Sequence, residues 1–377
     1  MELKLDDFLN RDNLVAQRKD GLVLFDYNKT IQFNFDWDNV SINARGIVFE
    51  EDTGKLVARP YRKFWNYEEL HGEAGEKLPE RYRPNFEGDF MVLEKADGSC
   101  GITYFYNGEW RVNTRGSFVS DQAIWAKNYL DANIKTDLMN PGYTYLFEII
   151  YPENRIVVDY GNLETLCLTG IIERDTGREL WYDELQVEAN KIDCMIVSMY
   201  PFSSLEEMFT ARQGLSVNEE GYVITYRNGY KFKLKGEAYC AVHRAISNLS
   251  PLNFWRAIDL ESFFIPNDFL EKLPEEFRDT VDKLKEVTEE LHMSELRKIL
   301  AYADNIPDFS DGRDGKKQRF FYIKENVPTE LIGSVISAVE GKLGKVKQSI
   351  HARVRPTNNS YNGVQLDERV RRLLEES

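Results

Sequence analysis

The chain has 377 residues, of which 42% are hydrophobic, with 24 Gly and 12 Pro. This composition excludes disordered, collagen-like and low-complexity proteins, and the length allows two domains. Because 48 Lys and Arg stand against 63 Asp and Glu, the formal net charge is −15. That charge argues against a protein held on nucleic acid or anionic lipid by bulk electrostatics, although local basic sites remain open.

Targeting and metal-binding signals are weak. Residues 1–14 carry acidic side chains and lack the apolar core of a signal peptide, so we expect a cytoplasmic protein without membrane contact. The four cysteines show no CxxC pair or neighbouring histidine, which indicates neither a zinc site nor a disulfide framework. With only four histidines, we expect any chemistry to depend on Lys, Arg, Asp and Glu.

Residues 90–235 have the pattern of strands joined by hairpins. Asn107-Gly108, Asp175-Thr176-Gly177 and Asn228-Gly229 are typical turn sequences. The strands predicted around and between them are residues 90–93, 100–106, 109–115, 143–151, 155–160, 163–174, 178–182, 221–226 and 230–235. Ser120 and Ser204 are predicted to cap short helices. The fold class is therefore α+β, rich in antiparallel sheet.

The pattern changes after residue 235. Helical spacing of apolar residues predicts helices over residues 237–248, 275–302 and 328–343, with a polar loop at 308–317. We therefore predict two domains, residues 1–245 and a mostly helical C-terminal domain over residues 246–377.

Lys95 lies in the most informative stretch, Glu94-Lys95-Ala96-Asp97-Gly98-Ser99, between two predicted strands. An ordinary turn would explain Asp-Gly and a solvated lysine. The functional interpretation is a reactive lysine at a sheet edge, with Gly98 allowing close approach to a ligand.

Further charged residues favour the functional interpretation. Lys231, Lys233 and Lys235 alternate along one strand, so their ammonium groups should share a face. The simpler interpretation is that this face of the strand is exposed to solvent. Alternatively, a bound polyphosphate would neutralise the mutual repulsion of the three ammonium groups. Glu148 and Glu220 lie in or beside apolar strands, where a carboxylate is costly unless paired or metal-bound. The chain contains no Walker loop and no GxGxxG.

These residues resemble the motifs of ATP-dependent RNA ligases of the covalent nucleotidyltransferase superfamily, closest to the phage single-strand RNA ligases. The matching elements occur in the family's order over about residues 40–245: Arg45-Gly46 with Phe49-Glu50, Arg59-Pro60 with Lys63-Phe64 and Asn66, Lys95-Ala96-Asp97-Gly98-Ser99, Phe147-Glu148, Glu220-Gly221-Tyr222-Val223, and Lys233-Leu234-Lys235. One departure is Arg115-Gly116-Ser117, where relatives carry a lysine. The resemblance implies an ATP-grasp-like adenylyltransferase domain over residues 1–245.

The resemblance also implies roles for these residues. Lys95 would attack the α-phosphate of ATP and carry AMP, which then passes to an RNA 5′-phosphate before a 3′-hydroxyl displaces it. Burial and nearby cations are expected to lower the pKa of Lys95 and so activate it. The other implied roles are phosphate contacts for Lys233, Lys235, Arg45 and Lys63, nucleotide binding for Asp97 and Gly98, ribose binding for Glu148, and Mg²⁺ or Mn²⁺ binding for Glu220.

The implied partners are RNA ends, either single-stranded or in nicked structured RNA such as tRNA, and a monomer is expected. DNA ligases and capping enzymes share the lysine chemistry, but the family pattern KxDGxR and a following OB-fold are missing, because Cys100 follows Ser99 and the C-terminal third has a helical pattern. The sequence is also compatible with a catalytically silent RNA-end-binding protein, or with an acidic interaction protein in which the motifs match by chance.

Overall fold

The protein is described by a computed structural model that covers residues 3–70, 73–247, 249–270 and 278–356. It divides into two compact units, Met1–Ala241 and Val242–Ser377. Within the described residues, no helix combines the length and apolar character needed to cross a bilayer. The domain limits 1–245 and 246–377 stay a prediction.

Strands make up most of the first unit. In chain order they are β1 Leu14–Lys19, β2 Leu22–Tyr27, β3 Arg45–Glu50, β4 Leu56–Ala58, β5 Trp65–Asn66, β6 Phe90–Glu94, β7 Ser99–Tyr106, β8 Glu109–Thr114, β9 Tyr143–Ile150, β10 Thr165–Glu173, β11 Met199–Tyr200, β12 Gly221–Tyr226 and β13 Lys231–Lys235. They form three sheets with the orders β1-β2-β3-β4, β10-β9-β7-β8 and β11-β6-β12-β13-β5. Paired strands run antiparallel except β13 and β5, which run parallel.

Helices separate the strands of the first unit and dominate the second. In chain order they are α1 Leu5–Phe8, α2 Lys29–Asn34, α3 Glu73–Lys77, α4 Asp121–Asn133, α5 Tyr182–Ile192, α6 Leu205–Gln213, α7 Glu237–Ser247, α8 Pro251–Ala257, α9 Asn267–Leu270, α10 Arg278–Asp304, α11 Arg313–Asn326, α12 Ile332–Val339 and α13 Leu343–Arg353. The α+β class with a helical C-terminal region is confirmed.

Local signals placed several elements correctly. The Ser120 hydroxyl accepts from the N–H of Ala123 at the start of α4, and the Ser204 hydroxyl accepts from that of Glu207 in α6. Each bond satisfies one of the amide groups that a helix start leaves without a partner. The hairpin β7–β8 turns at Asn107-Gly108 as predicted.

Other predicted elements were wrong or shorter. The stretch 155–160 is not a strand, and in the stretch 178–182 Glu179 forms a single bridge to Ile172 before α5 begins. Helix α11 begins at Arg313, inside the predicted loop. The predicted helix 328–343 is confined to α12, and residues 275–277 of the predicted helix 275–302 lie outside the described residues.

Two apolar clusters hold the sheets of the first unit. Residues of β9 and β10, such as Phe147 and Leu168, pack with Leu130 of α4 and Leu185 of α5, and all four are essentially excluded from solvent. A second cluster of largely aromatic residues covers β6, β12 and β13. Since this packing fixes three neighbouring strands, it also fixes the side chains at their ends.

Candidate active site

Three neighbouring strand ends bring Lys95, Glu220 and Lys235 together. Strand β6 ends one residue before Lys95, β12 begins one residue after Glu220, and Lys235 is the last residue of β13. Gly221 faces Lys235 in the β12–β13 ladder. The N–H of Lys95 donates to the carbonyl oxygen of Gly221 at 2.8 Å. Backbone pairing therefore sets the positions of all three side chains.

Gly221 is required at this junction. Its φ is +140°, and a Cβ there would lie 2.2 Å from the carbonyl oxygen of Leu234. Any other residue would push β12 away from β13. The glycine thus keeps Glu220 beside Lys235.

Glu220 forms a buried ion pair with each lysine. Its Oε2 lies 2.7 Å from Nζ of Lys95, and its Oε1 lies 2.7 Å from Nζ of Lys235. The glutamate is 3% exposed. Burial raises the pKa of Glu220, but the two ammonium groups outweigh it and lower the pKa. Glu220 is therefore ionised and shared between the two lysines.

The pKa of Lys95 is raised, so the prediction that it is lowered is wrong for this arrangement. Burial acts to lower the pKa, but attraction by Glu220, with contributions from Glu148 and Asp97, raises it to about 12. Lys233 shows the opposite behaviour. Burial, reinforced by repulsion from Lys235 and Lys95, lowers its pKa well below the ordinary value.

The three lysines of β13 have different surroundings. Lys231 is buried, pairs with Glu179, and lies with its Nζ 3.7 Å from the ring centroid of Tyr61. Lys235 pairs with Glu220. In the described part of the chain, no carboxylate lies within ion-pair distance of Lys233. The structure therefore brings Lys233 and Lys235, but not Lys231, into the electrostatic environment of Lys95.

Asp97 braces the loop that follows Lys95. Its Oδ2 accepts from the N–H groups of Val157 and Val158 at 2.9 and 2.8 Å, and the Tyr239 hydroxyl donates to its Oδ1 at 2.8 Å. These bonds explain why residues 155–160 are not a strand, since two of their amide groups bind a side chain instead. The predicted role of Asp97 in nucleotide binding stays a prediction.

Gly98 allows the same loop to approach β9. A Cβ at Gly98 would lie 2.5 Å from the carbonyl oxygen of Ile149. This close contact is with a strand, whereas close approach to a ligand was expected from the sequence. Strand β9 also carries the half-buried Glu148, which lies opposite Cys100 in the β7–β9 ladder.

Lys63 lies in an aromatic box. Its Nζ lies 5.7, 5.5 and 5.8 Å from the ring centroids of Tyr27, Trp37 and Trp65. The residue is 7% exposed, and burial lowers its pKa. Cation–π attraction to these three rings stabilises the buried ammonium group. The neighbouring Trp65 was a local signal for this box, but the distant Tyr27 and Trp37 could not be linked to it from the sequence.

Arg45 and Arg115 both act on the carboxylate of Asp26. Arg45 begins β3, and its Cζ lies 5.6 Å from the ring centroid of Phe64. Arg115, which departs from the family lysine, pairs through Nε with Oδ2 of Asp26 at 2.9 Å. Burial raises the pKa of Asp26, while Arg115 and Arg45 oppose that effect. Asp26 was not predicted from the sequence, because nothing local marks it.

The donor set fits a divalent cation held jointly with substrate phosphates. Among the described residues, no group of three or more His, Cys, Asp or Glu side chains could form a protein cage for a metal. Mg²⁺ commonly binds through one or two carboxylates plus phosphate oxygens. Glu220 can supply such a carboxylate if the cation replaces a lysine ammonium on one of its oxygens.

Sequence comparison identifies the family. A family model described as RNA ligase matches residues 43–239, more than half of the chain. The chain belongs to the RNA ligase family. Ligases of this family work through a lysyl-AMP intermediate. The matched range contains all the candidate residues, namely Arg45, Lys63, Lys95, Asp97, Gly98, Glu148, Glu220, Lys233 and Lys235.

Named relatives of this RNA ligase family member come from viruses and bacteria. A "Putative bifunctional polynucleotide kinase/RNA ligase" of Autographa californica nuclear polyhedrosis virus is 29% identical over 56% of this chain and 32% of that protein. An "RNA ligase" of Rhodothermus phage RM378 is 23% identical over 74% of this chain and 76% of that protein. A "Putative RNA ligase" of Thermovibrio ammonificans is 31% identical over 43% and 42%. The chain thus spans a third to three quarters of the length of these relatives.

Solved structures are more distant. An archaeal ATP-dependent RNA ligase aligns over 85% of this chain and 86% of that chain, with 13% identity and a TM-score of 0.46. A structure described as a "Putative ATP-dependent DNA ligase from Aquifex aeolicus" aligns over 85% and 87%, with 14% identity and a TM-score of 0.45.

Proposed function

We propose that this chain is an ATP-dependent RNA ligase that joins a 5′-phosphate to a 3′-hydroxyl through AMP on Lys95. The observation that carries the proposal is the buried Lys95–Glu220–Lys235 arrangement at the strand ends, in a chain of the RNA ligase family. It places a primary amine beside a second cation that can stabilise charge on a phosphate.

The first step forms a bond between Nζ of Lys95 and the α-phosphorus of ATP, while the bond to the pyrophosphate oxygen breaks. The attacking amine must be neutral, yet Glu220 holds its pKa at about 12. Loss of the Lys95–Glu220 contact is therefore part of activation. Lys235, released from the same carboxylate, can then contact the α-phosphate.

The remaining candidate residues have supporting roles in this proposal. Lys233, Arg45 and Lys63 contact phosphates, Glu148 accepts from ribose hydroxyls, and Asp97 with Gly98 holds the loop that carries Lys95. Glu220 would hold a bound Mg²⁺ or Mn²⁺, which supplies charge neutralisation for ATP phosphates. In the second step AMP passes to the RNA 5′-phosphate, and in the third a 3′-hydroxyl attacks and AMP leaves.

The finer assignments belong to the same proposal. We infer that the substrates are single-stranded ends or nicks in structured RNA such as tRNA, and that the helical unit helps to select them. We also infer that the protein acts as a monomer in RNA repair.

The proposal is tested by a joining assay. The chain is incubated with ATP, Mg²⁺ and a 5′-labelled single-stranded RNA. In parallel reactions, nicked tRNA or nicked duplex DNA replaces the RNA, and GTP replaces ATP. We expect joined or circular RNA with ATP, and none with Lys95→Arg, which retains the positive charge but supplies no reactive amine. Lys19→Ala, on the exposed strand β1, serves as the matched control and should retain activity. Joining that survives Lys95→Arg, or that uses only DNA, would contradict the proposal.

A further inference from the structure

The first unit contains a second basic site, which we name the arginine cavity. It has a volume of about 440 Å³ and lies at the turn between β12 and β13 and the segment after β10. Six of its lining residues are cationic: Arg59, Arg62, Arg81, Arg178, Arg227 and Lys231. Two lining residues are carboxylic, Glu179 and Glu184.

Both carboxylates of the arginine cavity are already paired. Glu184 lies 2.8 Å from Arg178, and Glu179 pairs with Lys231. Among the residues that the structure describes, no carboxylate is within ion-pair distance of the other four lining cations, Arg59, Arg62, Arg81 and Arg227. The cavity therefore carries four guanidinium groups that have no carboxylate in direct contact, although Glu179 attracts Arg62 at longer range.

The arginines of the cavity also repel one another. Burial lowers the pKa of Arg59, and repulsion by Arg81 and Arg62 adds to the effect. Burial also lowers the pKa of Arg62, against attraction by Tyr82 and Glu179, and repulsion by Arg81 adds a smaller effect in the same direction as burial. Because arginine stays charged, an anion bound among these groups would relieve the repulsion. A phosphate, which accepts paired N–H bonds from a guanidinium, matches the site.

Aromatic rings support three of these arginines. The Cζ atoms of Arg62 and Arg81 lie 5.2 and 4.9 Å from the ring centroid of Tyr82, and that of Arg227 lies 4.1 Å from the ring of Trp181. Stacking of this kind positions a guanidinium without using all its N–H donors. A groove lined by clustered arginines is also typical of surfaces that follow the backbone of single-stranded nucleic acid.

The arginine cavity is separate from the proposed nucleotide site but shares a strand with it. Lys231 lines the cavity, whereas Lys95, Glu220 and Lys235 do not. Lys235 lies four residues after Lys231 along β13, a distance of about 13 Å at ~3.3 Å per residue. A polynucleotide carries phosphates at every nucleotide and can span that distance. We propose that the arginine cavity binds backbone phosphates of the RNA strand that is to be joined, an inference that rests on the proposed function.

The test measures RNA binding without turnover. A fluorescein-labelled single-stranded 12-mer RNA is titrated with the full chain in the absence of ATP, by anisotropy, at several salt concentrations. For Arg81→Ala/Arg227→Ala we expect a Kd raised about 10-fold, and a log–log salt slope smaller by about 1.4, from ~0.7 per lost phosphate contact. The charge-matched control is Arg18→Ala/Lys19→Ala on the exposed strand β1, which should bind as the unmodified chain does.

Two further measurements keep the outcomes distinct. Arg81→Lys/Arg227→Lys keeps both charges and should restore most of the salt slope, which a folding defect would not allow. The ATP concentration for half-maximal labelling of Lys95 is measured in parallel. If the alanine pair binds RNA like its control, or if it impairs ATP use alone, the proposal is overturned. Absence of AMP label on Lys95 in the unmodified chain would instead overturn the proposed function. The RNA-binding measurement needs no ATP, so it would still test the role of the arginine cavity in that case.

Discussion

Glu220 controls the protonation of Lys95, because one buried carboxylate is bonded to two ammonium groups. The raised pKa of Lys95 stabilises the folded protein fully below the ordinary value of 10.5, and this stabilisation is lost as pH rises towards about 12. At neutral pH the contact therefore favours the folded protein and opposes attack by the amine. Substrate binding therefore has to weaken the Lys95–Glu220 contact so that Lys95 can lose its proton.

Replacing Glu220 tests directly whether it sets the pKa of Lys95. In Glu220→Gln the attraction that raises the Lys95 pKa is lost, while burial and the neighbouring lysines remain, so we expect the pKa to fall by roughly one pH unit or more. The measurement is the pH dependence of Lys95 acylation, read by peptide mapping. Glu179→Gln, which removes the partner of Lys231 on the same strand, is the matched control. An unchanged Lys95 pKa in Glu220→Gln would show that Glu220 does not set it.

Asp97 offers a stability test at the same scale. An amide oxygen cannot replace a carboxylate that accepts from Val157, Val158 and Tyr239 without loss, so Asp97→Asn should cost about 1–3 kcal/mol locally. That cost corresponds to roughly 5- to 150-fold faster hydrogen exchange at the N–H groups of Val157 and Val158. Tyr239→Phe leaves both bonds from Val157 and Val158 to Asp97 in place and should have the smaller effect on their exchange. Equal exchange in Asp97→Asn and the unmodified chain would refute the bracing role.

Strand β13 shows how one element serves two sites. Its alternation was correctly interpreted as three lysines on one face, but Lys231 pairs with Glu179 while Lys235 pairs with Glu220. The sequence could not distinguish these partners, since Glu179 and Glu220 come from distant segments. A period-2 pattern predicts which face of a strand a residue occupies. It does not predict which residues from distant segments pack against that face.

The loop that contains Gly98 packs closely against β9, and this packing can be tested by substitution. In Gly98→Ala the new Cβ would meet the carbonyl oxygen of Ile149 at 2.5 Å, so the loop must move away from β9. Displacement of Lys95 by about 1 Å should lower the rate of its adenylylation about 100-fold. Gly214→Ala is the matched control, because its Cβ would make an ordinary 3.6 Å contact. A normal rate in Gly98→Ala would show that the loop tolerates the change.

Elements specified by local chemistry were predicted well, and those that depend on distant partners were not. Asn107-Gly108 and the Ser120 cap carry their own turn or cap signals, so β7, β8 and α4 were found. The stretch 155–160 has strand-like composition, but its amide groups bind Asp97. The strand ends around Lys95 followed from motif order, whereas the aromatic box of Lys63 depends on three separate segments.

At the scale of the whole molecule, the net charge is negative although two local sites are positive. A formal net charge of −15 disfavours non-specific attraction to RNA. The lysines near Glu220 and the arginine cavity nevertheless form two concentrated positive sites within the first unit. RNA binding through phosphate contacts should weaken as salt is added, and because few contacts are involved it should be local, with a shallow salt slope.

The central claim is that Lys95 carries AMP. The most direct measurement incubates the full chain with α-labelled ATP and Mg²⁺, denatures it, and maps the labelled peptide by mass spectrometry. We expect one AMP on the peptide that contains Lys95, no label in Lys95→Arg, and normal labelling in Lys19→Ala. Label on a different residue, label that persists in Lys95→Arg, or no covalent label in the unmodified chain would contradict the claim.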